Sequence, residues 1–213
     1  TKVKRIIFLK VNIKNMHTLS VYFASSNENK FSEIEKMLNK DIKNSHVQMQ
    51  NKVKIIFLNT TIKEIQSESI IEVAEDKVKK AFDIIKKPVI IEDDGLFIDA
   101  LNGFPGVYSS FVFKTIGNKG ILDLLKDNQK ERRAKFSSII SFYDGETIET
   151  FIGETIGHLT TKIFPGGWGF DPIFMPENED KTYGQIDTLK KNDLSHRSKS
   201  FRKFLEWYVQ RKT

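Results

Sequence analysis

The chain has 213 residues, 39% of them hydrophobic, with 17 Phe and no Cys, enough for one sizeable domain with a real core. The missing cysteines exclude disulfides and thiolate metal sites and fit a reducing compartment, and no apolar run approaches the roughly 20 residues that span a bilayer. A formal net charge of +6 suits a polyanionic ligand without choosing between nucleic acid, an acidic headgroup and a nucleotide.

Leu19–Ser25 (LSVYFAS) reads as a strand, followed by a helix carrying Phe31, Ile34 and Leu38 at helical spacing. The polar stretch Asn39–Asn51 reads as a loop or insertion, and Lys52–Leu58 as a second strand. A helix is predicted from Ile70 to Ile85, with Ile71, Ala74, Val78, Ala81, Phe82 and Ile85 on one face. Pro88 ends it and opens an apolar strand, Val89-Ile90-Ile91, whose tip is Glu92-Asp93-Asp94 and then Gly95. Gly117–Lys126 reads as a short helix, and Arg133–Tyr143 and Thr147–Ile152 as strands joined at the hairpin signal Asp144-Gly145. Thr155–Phe164 is a further predicted strand, and Ser198–Gln210 a closing helix with Phe201, Phe204, Leu205 and Tyr208. Early alternation of strands and helices with a strand-rich middle predicts a mixed α/β sheet. No internal repeat or flexible interdomain linker is visible, and residues 1–14 lack the apolar core and cleavage site of a secretory signal.

Three adjacent carboxylates after a buried strand demand a partner, because desolvating each unpaired costs several kcal/mol. A hard cation such as Mg²⁺ supplies one, and the carboxyl ends of strands in open α/β sheets are where ligands bind. Physics alone does not say which acid faces the metal; alternation puts Asp93 on the side opposite Glu92 and Asp94. Ser25-Ser26-Asn27-Glu28-Asn29-Lys30 lies between a strand and a helix, where hydroxyls, free helix N–H groups and a lysine can cradle phosphate. The same residues also make an ordinary N-cap. In Phe164–Pro172 (FPGGWGFDP), glycines between aromatics leave flat faces on which a planar base can stack. Lys190-Lys191 and Ser195-His196-Arg197, at the start of the last helix, supply donors for phosphate or for the acceptor edge of a base. Gly103–Tyr108 is a turn-forming run after the acids, while His17, His46 and His158 stand alone.

In this order, S-S-N-E-N-K, E-D-D-G-L, A-L-N-G-F-P-G-V-Y, G-W-G-F-D-P and K-N-D-L-S-H-R resemble the motif set of the inosine triphosphate pyrophosphatase family. The resemblance runs from about Leu19 to the C-terminus; residues 1–18 form an N-terminal extension outside it and 19–213 a single domain. It implies an elongated mixed α/β fold of two lobes around a nucleotide cleft. The implied activity is Mg²⁺-dependent hydrolysis of ITP, dITP or XTP to the monophosphate and pyrophosphate, with Mn²⁺ as a substitute ion. A cytoplasmic homodimer is implied, with no stable nucleic-acid partner and no membrane.

Carried over by motif, Asp93 is the essential carboxylate, a metal ligand and proton acceptor, and Glu64 the other metal carboxylate. Ser25, Ser26, Asn27, Glu28, Asn29, Lys30 and Lys77 fall on triphosphate positions. Trp168, Gly169, Phe170, Asp171, Lys191, His196 and Arg197 fall around the base. Two positions depart from the pattern: Ser26 stands in place of a glycine, and Asp94 in place of a hydroxyl residue beside the metal. The competing readings are a Maf-like pyrophosphatase, whose S-x-S-P-R-R phosphate loop is absent, and a basic nucleic-acid-binding protein, which explains the lysines but not the acids.

Overall fold

A computed structural model describes residues 2–6, 19–43, 53–127 and 131–211. His17, His46 and residues 44–51 of the expected loop lie outside the described residues. In chain order the elements are β1 (Lys2–Ile6), β2 (Leu19–Ser25), α1 (Glu28–Lys43), β3 (Val53–Asn59), α2 (Ile70–Ile85), β4 (Val89–Ile98), β5 (Pro105–Gly106), α3 (Ser109–Thr115), α4 (Gly117–Leu124), β6 (Arg133–Tyr143), β7 (Ile148–Leu159), β8 (Phe174–Pro176), α5 (Thr188–Leu194) and α6 (His196–Gln210).

The strands form one mixed sheet in the order β1-β3-β2-β4-β6-β7-β8, with β5 paired to β4. β2 runs parallel to both β3 and β4, whereas β6 and β7 are antiparallel additions. The period-2 pleat sorts the core onto two faces. Val21, Phe23, Ile55, Phe57 and Ile90 pack under α1 and α6 with Phe31, Phe142, Phe204 and Tyr208. Ala24, Leu58, Val89, Ile91 and Ile139 pack under α2 against Ala74, Val78 and Ala81. A third cluster, with Leu96, Ile98, Phe136, Phe170, Phe174 and Tyr183, fills the other end of the sheet.

Three expectations are corrected. Residues 39–43 continue α1, since no Gly or Pro interrupts the helix and polar residues on a helix do not end it. The two strands expected at Thr147–Ile152 and Thr155–Phe164 are one strand, β7, that ends at Leu159. Gly153 inside it is no break: α6 crosses there so closely that a Cβ would collide with the His196 carbonyl oxygen. The acids, finally, are not a strand tip. β4 continues through them to Ile98, paired along its whole length with β6 from Val89↔Tyr143 to Ile98↔Ala134. Its parallel pairing with β2 stops at Phe23↔Ile90, so the acids begin where the parallel half of the sheet ends and a crevice opens.

Candidate active site

A cleft of about 490 Å³ opens at that point. Its walls come from the β2–α1 turn, the middle of β4, the segment before α2, α3, the glycine-rich loop and the start of α6. The pleat of β4 divides the acids between the two faces of the sheet. Asp93 faces α2, as Ile91 does; Glu92 and Asp94 face α1 and α6, as Ile90 does.

On the α2 face, the Lys77 ammonium lies 2.5 Å from Glu64 Oε1 and 3.0 and 3.1 Å from the two oxygens of Asp93. One positive group thus touches three oxygens of two carboxylates. A cation is held there by the chain itself, which is the test of whether a divalent ion fits. Mg²⁺ is normally bound by one or two carboxylates, with phosphate oxygens and waters completing an octahedron, and Glu64 and Asp93 provide that pair. Among the described residues no third His, Cys, Asp or Glu joins them. Burial raises the Asp93 pKa, opposed in part by Lys30 and Lys77. Lys77 itself is raised: burial works against its charge, but Asp93 and Glu64 outweigh it.

A continuous ion network fills the other face. Lys30, in the first turn of α1, reaches Glu92 Oε2 at 2.9 Å and also contacts Asp94. Arg197, 1% exposed, meets Glu92 through Nε at 3.2 Å, Asp94 through Nη2 at 3.1 Å and Glu33 through Nη1. Lys191 links Glu33 at 3.0 Å to Asp171 at 2.7 Å. Burial opposes the charges of Lys30, Glu33, Asp94 and Arg197, but their partners win. Lys30 and Arg197 are pushed up, Asp94 is held well below the carboxylate range by Lys30 and Arg197, and Glu33 is pulled down to about 2 by Arg197 and Lys191. Asp94 is therefore an ion-paired carboxylate and not a loose negative charge in the cleft. His196 is lowered by burial and stacks on Phe136 at 4.6 Å between ring centroids, with Nε2 3.8 Å from Asp94.

The aromatic platform is built onto the same network. Trp168 donates its indole N–H to Glu33 at 2.9 Å, and the Arg197 guanidinium lies 5.2 Å from its ring centroid. Asp171 Oδ2 accepts from the Trp168 backbone N–H at 3.0 Å, which ties the loop into a turn. Gly167, at φ +70°, has to be glycine there, since a Cβ would collide with that of Asp171. Phe170 is core as well as wall, edge-on to Phe113 at 5.3 Å. Gly95 answers a similar demand on β4: a Cβ would come within 2.5 Å of the Gly106 carbonyl oxygen, where β5 approaches.

Of the residues predicted from sequence, Ser25, Ser26, Asn27, Lys30, Glu64, Lys77, Asp93, Asp94, Trp168, Gly169, Phe170, Asp171, His196 and Arg197 line this one cleft. Lys191 does not: it is buried behind the platform, where it holds Asp171 and Glu33. Glu28 and Asn29 are exposed outside the lining, with Glu28 accepting from the Asn59 side-chain amide at 3.3 Å. The β2–α1 turn is also a cap, because Asn27 Oδ1 accepts from the Asn29 N–H at 3.0 Å and Ser25 Oγ from the Asn27 N–H at 3.1 Å. Ser26 is not among the residues with positive φ, so its Cβ introduces no backbone strain.

Sequence reasoning missed Glu33 and Ser138. Glu33 lies three residues after Lys30, hence on the same helix face, and that spacing was its only signal. Ser138 donates to Glu92 Oε1 at 2.7 Å from the middle of β6, where nothing in the sequence distinguishes it from a core serine.

Comparison with known proteins identifies relatives of the chain in sequence and in fold. The model of the Ham1 family matches residues 21–207. A dITP/XTP pyrophosphatase of Korarchaeum cryptofilum is 42% identical over 188 residues, which is 88% of this chain and 95% of that protein. One from Thermococcus kodakarensis is 44% identical over 156 residues, 73% of this chain and 84% of its own. Among solved structures, the Staphylococcus aureus Ham1 protein superposes with a TM-score of 0.72 at 25% identity, covering 90% of this chain and 99% of its own. With the fold, the cleft and the match in hand, the chain belongs to the Ham1 family.

Proposed function

We propose that this protein hydrolyses deaminated purine nucleoside triphosphates (ITP, dITP and XTP) to the nucleoside monophosphate and pyrophosphate. The observation that carries this reading is the division of labour across β4. A carboxylate pair that already holds a cation lies on one face, and a lysine, an arginine and an indole lie on the other, all bordering one cleft. Relatives so similar over nearly their whole length are named for dITP and XTP. The same reading makes the bound ion Mg²⁺, replaceable by Mn²⁺, the working form a cytoplasmic homodimer, and residues 19–213 the catalytic unit.

Held by Glu64 and Asp93, the divalent ion would neutralise phosphate oxygens and make bound water more acidic. Asp93, with its affinity for protons raised by burial, accepts the proton of the water that attacks the α-phosphorus. The bond from that phosphorus to the bridging oxygen breaks, and pyrophosphate leaves with its new charge stabilised by Lys30 and Lys77. Trp168 offers its face to the purine. Arg197 keeps guanidinium N–H groups beyond the three that face carboxylates. A 6-oxo group accepts from such a donor, whereas the 6-amino group of adenine leaves it unsatisfied.

Pyrophosphate release from ITP and XTP is expected to exceed that from ATP by about 10²-fold or more in kcat/KM. Equal efficiencies on ITP and ATP would overturn the specificity. Glu64→Gln removes one charged ligand, so the Mg²⁺ concentration for half-maximal rate should rise about tenfold or more. An unchanged Mg²⁺ titration would take Glu64 out of the metal site.

A further inference from the structure

Lys30 has three N–H donors, and three acceptors already surround its ammonium: Glu92 Oε2 at 2.9 Å, the Glu92 carbonyl oxygen at 3.3 Å and Asp94 Oδ1. Glu92 Oε2 is near enough for an ion pair but is not aligned as a hydrogen bond, so a phosphate oxygen approaching Lys30 from the cleft competes chiefly with the charge of Asp94. The Glu92 side chain is fully buried and pinned by Ser138 and Arg197, and the second acceptor is main chain in the middle of a paired strand. Asp94 is the partner with exposed surface in the cleft, its side chain 17% accessible. Three donor groups converge on that carboxylate: Lys30, Arg197 Nη2 at 3.1 Å, and His196 Nε2 at 3.8 Å. This is the environment of an anion site, and a side chain of the protein fills it.

We propose that Asp94 is an internal anion that competes with substrate and product phosphates for Lys30, weakening nucleotide binding and speeding pyrophosphate release. The inference rests on the pyrophosphatase reading and deepens it by assigning a role to the residue that departs from the family motif. A hydroxyl at this position could donate to a phosphate oxygen; a carboxylate only repels it. Charge balance points the same way. Among the buried partners, Glu33, Glu92, Asp94 and Asp171 face Lys30, Lys191 and Arg197, one anion in excess. Without Asp94 the remaining buried charges match in number.

The test is calorimetric binding of inorganic pyrophosphate in Mg²⁺ buffer to the wild type, Asp94→Ser and Asp94→Asn, together with pyrophosphate inhibition of ITP hydrolysis. Both variants should bind pyrophosphate about tenfold more tightly or better, since one charge-assisted contact no longer has to be displaced. Their KM for ITP should fall, and kcat should fall with it as product release slows. Equal or weaker pyrophosphate binding in the variants would overturn the proposal and make Asp94 a positioning residue for Lys30 and Arg197. Failure of both variants to fold would also overturn it, because a carboxylate the fold cannot lose is not a displaceable one. A wild type that releases no pyrophosphate from ITP sinks the proposed function itself. Turnover of ITP by the wild type, with no tightening in the variants, sinks this inference alone.

Discussion

Asp93→Asn should lower the rate of pyrophosphate release by about 10³-fold, the scale of a lost general base, with the fold intact. The amide keeps the shape of the carboxylate, and its carbonyl can still accept from Lys77, which lies 3.0 Å from Asp93 Oδ1. What disappears is the charge and the ability to take a proton. Burial raises the pKa of Asp93, so the wild-type carboxylate is a better proton acceptor than an exposed one, and neutralising it also removes a desolvation cost. The melting temperature of the variant should therefore equal or exceed that of the wild type. Rates measured at saturating ITP across a Mg²⁺ titration separate the two roles. A loss that persists at the highest Mg²⁺ identifies the proton acceptor, whereas full recovery would leave Asp93 as a ligand only.

Glu33→Gln is the second large expected effect, and it falls on stability. Glu33 is the junction of the buried network, accepting from Arg197, Lys191 and the Trp168 indole. Its pKa lies near 2 in the folded protein against 4.5 for the free side chain. A depression of that size corresponds to about 3 kcal/mol of folding free energy at neutral pH. For a chain of this length that is a fall in melting temperature of roughly 10 °C. The sign follows from linkage: the contribution is complete above the unfolded value of 4.5 and is lost as pH falls through about 2. Urea unfolding of both proteins at pH 7, 5 and 3 should show a gap that is wide at pH 7 and shrinks to about half or less at pH 3. A gap independent of pH would mean that the Glu33→Gln variant fails through packing and not through lost charge.

Much of the site was legible because its residues come in short local patterns. The β2 and α2 boundaries follow directly from apolar periodicity, as does the strand opened by Pro88. The motif order assigns Asp93, Lys30, Trp168 and Arg197 to one site, and they line one cleft. Glu33 went unnoticed, and the burial of Lys191 behind the platform went unforeseen, for one reason: the two pair across 158 residues and Glu33 pairs with Arg197 across 164, and no local pattern encodes such pairings. The gap expected between Ile152 and Thr155 does not exist, because Gly153 admits a crossing helix and does not end the strand.

The sequence by itself determined the types of the principal elements, the position of the acids after an apolar run, and the alternation that separates Asp93 from Glu92 and Asp94. Those properties follow from backbone geometry, which repeats with fixed period along the chain. Only the tertiary structure decided what each acid meets. It brought α2 to one face of β4 and α1 and α6 to the other, so Asp93 shares a cation with Glu64 while Asp94 lies between Lys30 and Arg197. It also turned the predicted strand tip into the middle of a strand, because β6 pairs with β4 past the point where β2 ends. Electrostatic partnership falls off with distance in space and not along the chain, and the charge that each carboxylate keeps is therefore a property of the fold.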